Sequence, residues 1–195
     1  MPARVGLMGG SFNPIHVGHL MAAEGVREAL ALERVVFVPA RIPPHKPPAQ
    51  LAPAEDRFRM VALAIADNPA LEVSDIELKR AGPSYTVDTV RAFRQQLGPS
   101  AFLCFIIGAD TIPELPGWRR MDEIAVLCQI VAVSRPDAPL ARQPGPAAGM
   151  IQRVEIPLVD VSSTDIRGRL HAGRSIRYLV GEPVRAYVLE KGLYR

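Results

Sequence analysis

Gly9-Gly10-Ser11-Phe12-Asn13-Pro14-Ile15-His16-Val17-Gly18-His19 is the stretch on which the reading of this chain turns. A compact apolar run, Val5-Gly6-Leu7-Met8, precedes it, and apolar residues recur with helical spacing after it, from about Val17 to Leu32. Strand, glycine-rich turn and helix, in that order, are how α/β proteins set a backbone beside a phosphate. Gly9 and Gly10 have no Cβ to block close approach. Asn13-Pro14 is a turn signal that stops the strand and re-aims the chain. His16 and His19 stand three apart, so once the helix has begun they share one face near its N-terminus. Two imidazoles, free N–H groups and the positive end of a helix dipole make a strong anion site. Each piece alone has a plainer reading, as a simple turn, a cap or a surface histidine. The histidine pair also has half the spacing of a metal site, but no nearby Cys, Asp or Glu completes a ligand set.

Outward from this stretch, strands and helices alternate. Arg34 to Pro39 is a short apolar run expected of a strand covered on both faces, followed by a proline-rich loop, Ile42 to Pro48. Phe58, Val61, Ala62 and Ile65 predict an amphipathic helix ending near Asn68-Pro69. Leu71 to Lys79 is expected to form an edge strand, and Thr86 to N-cap a helix closed by Gly98. Phe102 to Gly108 is the most hydrophobic run and predicts a central strand. A helix around Met121 to Leu127 and a strand from Ile130 to Val133 follow. Pro136 to Gly149 is expected to be an exposed loop, and Arg153 to Leu158 a last strand. Ser162 to Arg167 opens a helix, and the final helix is expected to begin near Pro183 and end before Gly192. The alternation predicts a single-domain α/β protein, a Rossmann-like, doubly wound parallel sheet with helices on both faces. A C-terminal helical part, about 163–195, is expected to pack on it.

The chain has 195 residues, 48% of them hydrophobic and 22% charged. One such domain buries roughly 70% of its unfolded surface. A net charge of +3 and a pI of about 9.1 suit an anionic small molecule. They are too weak, without a dense basic run, to indicate nucleic acid. No apolar run approaches the roughly 18 residues of a membrane helix. Met1-Pro2-Ala3-Arg4 passes straight into strand-like sequence with no signal peptide, so a cytoplasmic protein is expected. Cys104 and Cys128 lie in separate apolar runs and are expected to be buried thiols.

Neither Gly-x-Gly-x-x-Gly nor Gly-x-x-x-x-Gly-Lys-[Ser/Thr] follows the first strand, which disfavours a nicotinamide dehydrogenase or a P-loop kinase. Ligands of such sheets bind beyond the carboxyl ends of the strands. The first turn, Pro43 to Lys46, Gly108 to Asp110, Ser134-Arg135 and Ser162 to Arg167 all follow expected strands, and should converge on one rim.

His16-Val17-Gly18-His19 after a strand and turn resembles the signature of the nucleotidylyltransferase superfamily. Further stretches sharpen the resemblance: Pro43-Pro44-His45-Lys46, Ser84 to Thr89, Ile107-Gly108-Ala109-Asp110 with Trp118, Ser163 to Arg167, and Lys191-Gly192-Leu193-Tyr194. Together they are similar, essentially end to end, to the bacterial nicotinate mononucleotide adenylyltransferases. Asn13 stands where many members have Asp, and Val180-Gly181-Glu182-Pro183 departs from a more usual spacing.

The resemblance implies transfer of the adenylyl group of ATP to nicotinate mononucleotide, giving deamido-NAD and pyrophosphate in NAD biosynthesis. It implies catalytic roles for His16, His19, Thr164 and Arg167. ATP would be bound by Gly9, Gly10, Ser11, Phe12, His16, Gly18, His19, Gly108, Asp110, Arg135, Ser163, Thr164 and Arg167. The mononucleotide would be bound by His45, Lys46, Ser84, Tyr85, Thr86 and Trp118, with His45 and Lys46 meeting either its phosphate or the triphosphate. Tyr85 and Trp118 suit stacking on a pyridine ring, and Thr86 with nearby N–H groups suits its carboxylate. Mg²⁺ would arrive on the ATP phosphates, with no protein metal site. Nicotinamide mononucleotide and phosphopantetheine are rival acceptors. A non-catalytic nucleotide-binding or sensing module is the rival from another class. Assembly into a homo-oligomer is left open.

Overall fold

The computed structural model describes residues 2–44, 47, 51–134, 151–157 and 159–195. Its strands are β1 (Arg4–Gly10), β2 (Arg34–Pro39), β3 (Leu71–Val73), β4 (Phe102–Gly108), β5 (Gln129–Ser134) and β6 (Ile151–Glu155). Its helices are α1 (Val17–Ala29), α2 (Ala54–Ala64), α3 (Thr86–Leu97), α4 (Met121–Leu127), α5 (Ser163–His171) and α6 (Glu182–Glu190). The strands form one sheet in the order β3-β2-β1-β4-β5-β6, with every neighbouring pair parallel. The order reverses between β1 and β4, so a crevice opens beyond their carboxyl ends.

Alternation along the central strands sends side chains to two separate cores. Val5 and Leu7 of β1, with Leu103, Phe105 and Ile107 of β4, meet Val87, Val90 and Phe93 of α3 and Ile124 of α4. Met8, Cys104 and Ile106 join the opposite cluster, with Ala23 and Val26 of α1, Met60 and Val61 of α2, Ile166 of α5 and Val184 and Val188 of α6. The sheet is therefore doubly wound, an α/β Rossmann-like fold as expected. Burying each such aliphatic side chain contributes about 1.5–3 kcal/mol, which fixes where the strand ends lie. Cys104 and Cys128 are buried free thiols, and burial pushes both up to about 12, too high to supply a thiolate near neutrality.

Several boundaries differ from the sequence expectation, each for a local reason. Helix α1 stops at Ala29 rather than Leu32, because Ala31 turns left-handed (φ 47°) and the Leu32 N–H bonds back to Arg27 O at 2.8 Å. No glycine announces that turn. Strand β3 ends at Val73, not Lys79, because the Ser74 hydroxyl accepts the Ile76 N–H at 3.3 Å and curls the chain. Thr86 is the first helical residue of α3 and not its cap; Tyr85 occupies that place. Helix α2 ends at Ala64, before Asn68-Pro69, β6 spans Ile151–Glu155, and α6 opens at Glu182, so Pro183 comes second. A 3-10 segment, Ala109–Gly117, was not expected; Pro113 and Pro116 inside it deny it an α-helical pattern. The Pro136 to Gly149 loop lies outside the described residues.

Candidate active site

A cavity of about 480 Å³ sits at the β1/β4 reversal. Its wall includes Gly9, Gly10, Ser11 and Phe12 from the first turn, His16, Gly18 and His19 from the opening of α1, Pro43 and Pro44, Gly108 and Asp110 after β4, and Ser163 at the start of α5. The turns after β1, β2, β4 and β6 thus converge on one rim. Ser84, Thr86 and Trp118 line the same cavity, as does Glu77, which no sequence motif marks. His45, Lys46 and Arg135 lie outside the described residues. Tyr85, Thr164 and Arg167 are near neighbours of lining residues but are not part of the wall.

The histidine pair is built by the helix start itself. His16 is the N-cap residue of α1, in extended backbone, and His19 is the third helical residue. The His16 N–H donates to His19 Nδ1 at 3.2 Å, and the two rings stack with centroids 3.8 Å apart, tilted by 31°. Accepting at Nδ1 leaves the proton of a neutral His19 ring on Nε2. The edge of Phe12 packs on His19 at 5.2 Å. His16 is 9% exposed, its Nδ1 buried without a partner among the described residues. Burial alone lowers its pKa to about 4, so the ring is neutral around pH 7. A Cβ on Gly18 would stand 3.1 Å from that nitrogen, so the glycine keeps the ring uncrowded.

The glycines of the crevice are close approaches as well. A Cβ on Gly9 would fall 2.7 Å from the Phe105 ring across the β1/β4 junction, and one on Gly108 would collide with Asp110 Oδ1. At α5, the Ser162 side chain caps the helix by accepting the Asp165 N–H at 3.0 Å. The Ser163 hydroxyl donates to Pro14 O at 2.9 Å, so its proton is committed to the first turn. What α5 offers the cavity is its N-terminal N–H groups and dipole. Arg167 donates to Asn13 O at 2.9 Å and to Thr164 Oγ1 at 3.2 Å. It is tied to the back of the turn that Gly9 to Phe12 presents.

The start of α3 reaches the cavity through Thr86. The Ser84 hydroxyl accepts the Arg41 N–H at 3.0 Å and donates to the Glu77 carboxylate. Glu77 is buried, also takes the Thr89 hydroxyl, and burial raises its pKa despite these bonds. Trp118 stands edge-on to Phe105 at 5.9 Å, while the Tyr85 ring lies under the Arg119 guanidinium at 4.7 Å. Neither Glu77 nor the buried Arg57 belongs to a recognisable motif. Glu77 stands between Ile76 and Leu78, the one local hint of its burial, while Arg57, near Asp56 and Arg59, carries none.

Residues 7–169 match the model of the family described as cytidylyltransferase-like. A protein of Moorella thermoacetica named "Probable nicotinate-nucleotide adenylyltransferase" is 45% identical over 201 residues, covering 100% of this chain and 93% of that one. One of the same name from Thermus thermophilus is 48% identical over 192 residues, covering 98% and 100%. This chain belongs to the nicotinate-nucleotide adenylyltransferase family. The family's fold extends to distant members. The Plasmodium falciparum nicotinic acid mononucleotide adenylyltransferase complexed with NaAD superposes with a TM-score of 0.79 over 98% of this chain and 97% of its own, at 18% identity. Membership makes the chain a nucleotidyltransferase, in line with the resemblance carried by its motifs. Among the described residues no helix is long and apolar enough to cross a membrane.

Proposed function

We propose that this chain transfers the adenylyl group of ATP to nicotinate mononucleotide. The observation that carries the reading is the stacked His16–His19 pair, lining one cavity with the glycine turn, Gly108 and the start of α5. A phosphate oxygen of the mononucleotide attacks the α-phosphorus of ATP. The bond to the bridging oxygen breaks and pyrophosphate leaves, so no covalent intermediate on the protein is needed. Such a step calls for alignment and for neutralising charge on the phosphoryl oxygens. His16, His19, the Gly9 to Phe12 backbone and Gly18 serve the triphosphate, with the N–H groups of α5 at Ser163 and Thr164 on the leaving end, where Arg167, held outside the wall by Asn13 O, adds its charge through space. Gly108, Asp110 and Arg135 border the adenosine.

The acceptor occupies the other half of the cavity. The N-terminus of α3 at Thr86 receives the pyridine carboxylate, Trp118 and Tyr85 flank the ring, and Ser84 shapes the wall. His45 and Lys46 meet the mononucleotide phosphate. Mg²⁺ enters as part of the ATP substrate. The ion is held through the phosphates and water rather than by a cluster of protein ligands.

Pyrophosphate release from ATP, measured in parallel with nicotinate mononucleotide, nicotinamide mononucleotide and phosphopantetheine, tests this reading. Fastest release is expected with the nicotinate compound. Preference for either other acceptor would reassign the substrate, and release with none would leave a binding module.

A further inference from the structure

Arg57 heads the fully buried side chains of the described residues by volume and is 1% exposed. Among the described residues its guanidinium makes three hydrogen bonds, all to backbone carbonyls: Nη1 to Ser11 O at 2.7 Å, Nη2 to Arg41 O at 3.1 Å and Nε to Ala52 O at 3.0 Å. Ser11 belongs to the turn that lines the cavity, while Arg41 and Ala52 flank the proline-rich loop at its two ends. One fork therefore joins the first turn to both ends of a loop distant in sequence. Among the described residues no carboxylate forms an ion pair with it; Glu55 and the Tyr194 phenol act on it only through space. The three carbonyls take one N–H from each nitrogen of the guanidinium, three of its five donors, but carry no net charge. A cation withdrawn from water without a counter-ion is costly to keep.

Arg57 does not line the cavity, yet it stands one carbonyl behind a wall built to receive anions. We propose that Arg57 is a positioning residue of the first turn whose buried charge is balanced by the polyphosphate that docks in front of it. The fork aligns Ser11 with the loop ends, and the charge adds a field that bulk salt screens poorly, because the group is out of water. This inference rests on the adenylyl-transfer reading only in placing a polyphosphate in the cavity.

Calorimetric titration of inorganic tripolyphosphate into the wild type, Arg57→Lys and Arg57→Gln, at low and high salt, separates charge from shape. Gln is expected to weaken binding on the order of tenfold at both salt levels, and Lys by less than about threefold, since one buried charge in a poorly screened site carries that much. Turnover should fall in both variants, because the three-carbonyl fork is gone. Equal affinities for all three proteins, or equal losses in Lys and Gln, would overturn the charge-balancing role. Where a variant is unfolded alone, refolding of Lys but not Gln by tripolyphosphate supports it, and refolding of neither overturns it. A wild type that binds tripolyphosphate with this Lys/Gln contrast but releases no pyrophosphate would sink the adenylyl-transfer reading and leave this one standing.

Discussion

At the scale of single residues, His16 makes a pH-dependent prediction whose sign is set by burial. Its imidazole titrates near 4 in the folded chain and near 6.5 when exposed. Between those values the unfolded chain binds more protons, so stability rises with pH. The contribution is fully present above pH 6.5 and is lost as pH falls toward 4. Its ceiling is about 3 kcal/mol at about 1.36 kcal/mol per unit. His16→Asn should therefore flatten the pH dependence of the urea midpoint in this window by about 1–3 kcal/mol; parallel profiles for the two proteins would contradict the burial argument. Tripolyphosphate should move the same titration, followed by NMR, upward, because an adjacent anion favours the imidazolium. His19 is the less buried partner, and its replacement tests catalysis rather than folding. His19→Ala should lower turnover by about 10²–10³-fold with an unchanged far-UV spectrum, and near-normal turnover would remove it from the proposed machinery.

At the scale of elements, the crevice depends on how closely β1 and β4 approach. Gly9→Ala places a methyl 2.7 Å from the Phe105 ring, and the strands must part or the ring must move. A loss of about 1–3 kcal/mol is expected for overpacking of this kind, with a larger loss of ATP affinity than at a neutral site; a variant of unchanged melting temperature would show that the ring yields freely. Helix α5 gives the milder case. Ser162→Ala removes the acceptor of the Asp165 N–H and should cost about 1 kcal/mol by denaturant unfolding. These elements also show how far local pattern carries. β2, β4 and α4 fall where their apolar periodicity puts them, Arg34–Pro39, Phe102–Gly108 and Met121–Leu127, because burial on both faces leaves a continuous signal. The turn of histidines and glycines is legible for a different reason, being defined by neighbours in sequence. The 3-10 segment, the early end of α1 at Ala31 and the curl at Ser74 were not, since each rests on a backbone or side-chain hydrogen bond that no periodicity records. Arg57 was hidden more deeply: an arginine inside an amphipathic helix reads as solvated, and only tertiary packing turns it inward.

At the scale of the whole molecule, the first turn is held from behind by parts of the chain that sequence gives no reason to join. Asn13 is 2% exposed, its side-chain oxygen accepting the Ala52 N–H at 3.0 Å and the Tyr194 hydroxyl at 2.8 Å. Its backbone carbonyl accepts Arg167. Tyr194 lies 181 residues away, at the end of the chain. The departure at Asn13 and the terminal Gly192-Leu193-Tyr194 were both visible as sequence features, but their contact is a product of α6 packing across α2, where Tyr187 donates to Asp56 at 2.7 Å. The last strand-to-helix unit therefore returns the chain terminus to its first turn. Tyr194→Phe keeps the ring in place and deletes one of the hydrogen bonds on Asn13, so the fold should lose only about 1 kcal/mol. The Asn13 side chain would then keep the Ala52 N–H and lose its tie to the chain's last turn, and small displacements there act directly on phosphate alignment. Turnover should fall several-fold, roughly three- to tenfold, with a smaller change in KM, because alignment is felt more in the transition state than in the bound ground state. A variant that loses stability yet keeps wild-type kcat would make the terminal tyrosine a structural latch with no bearing on the site.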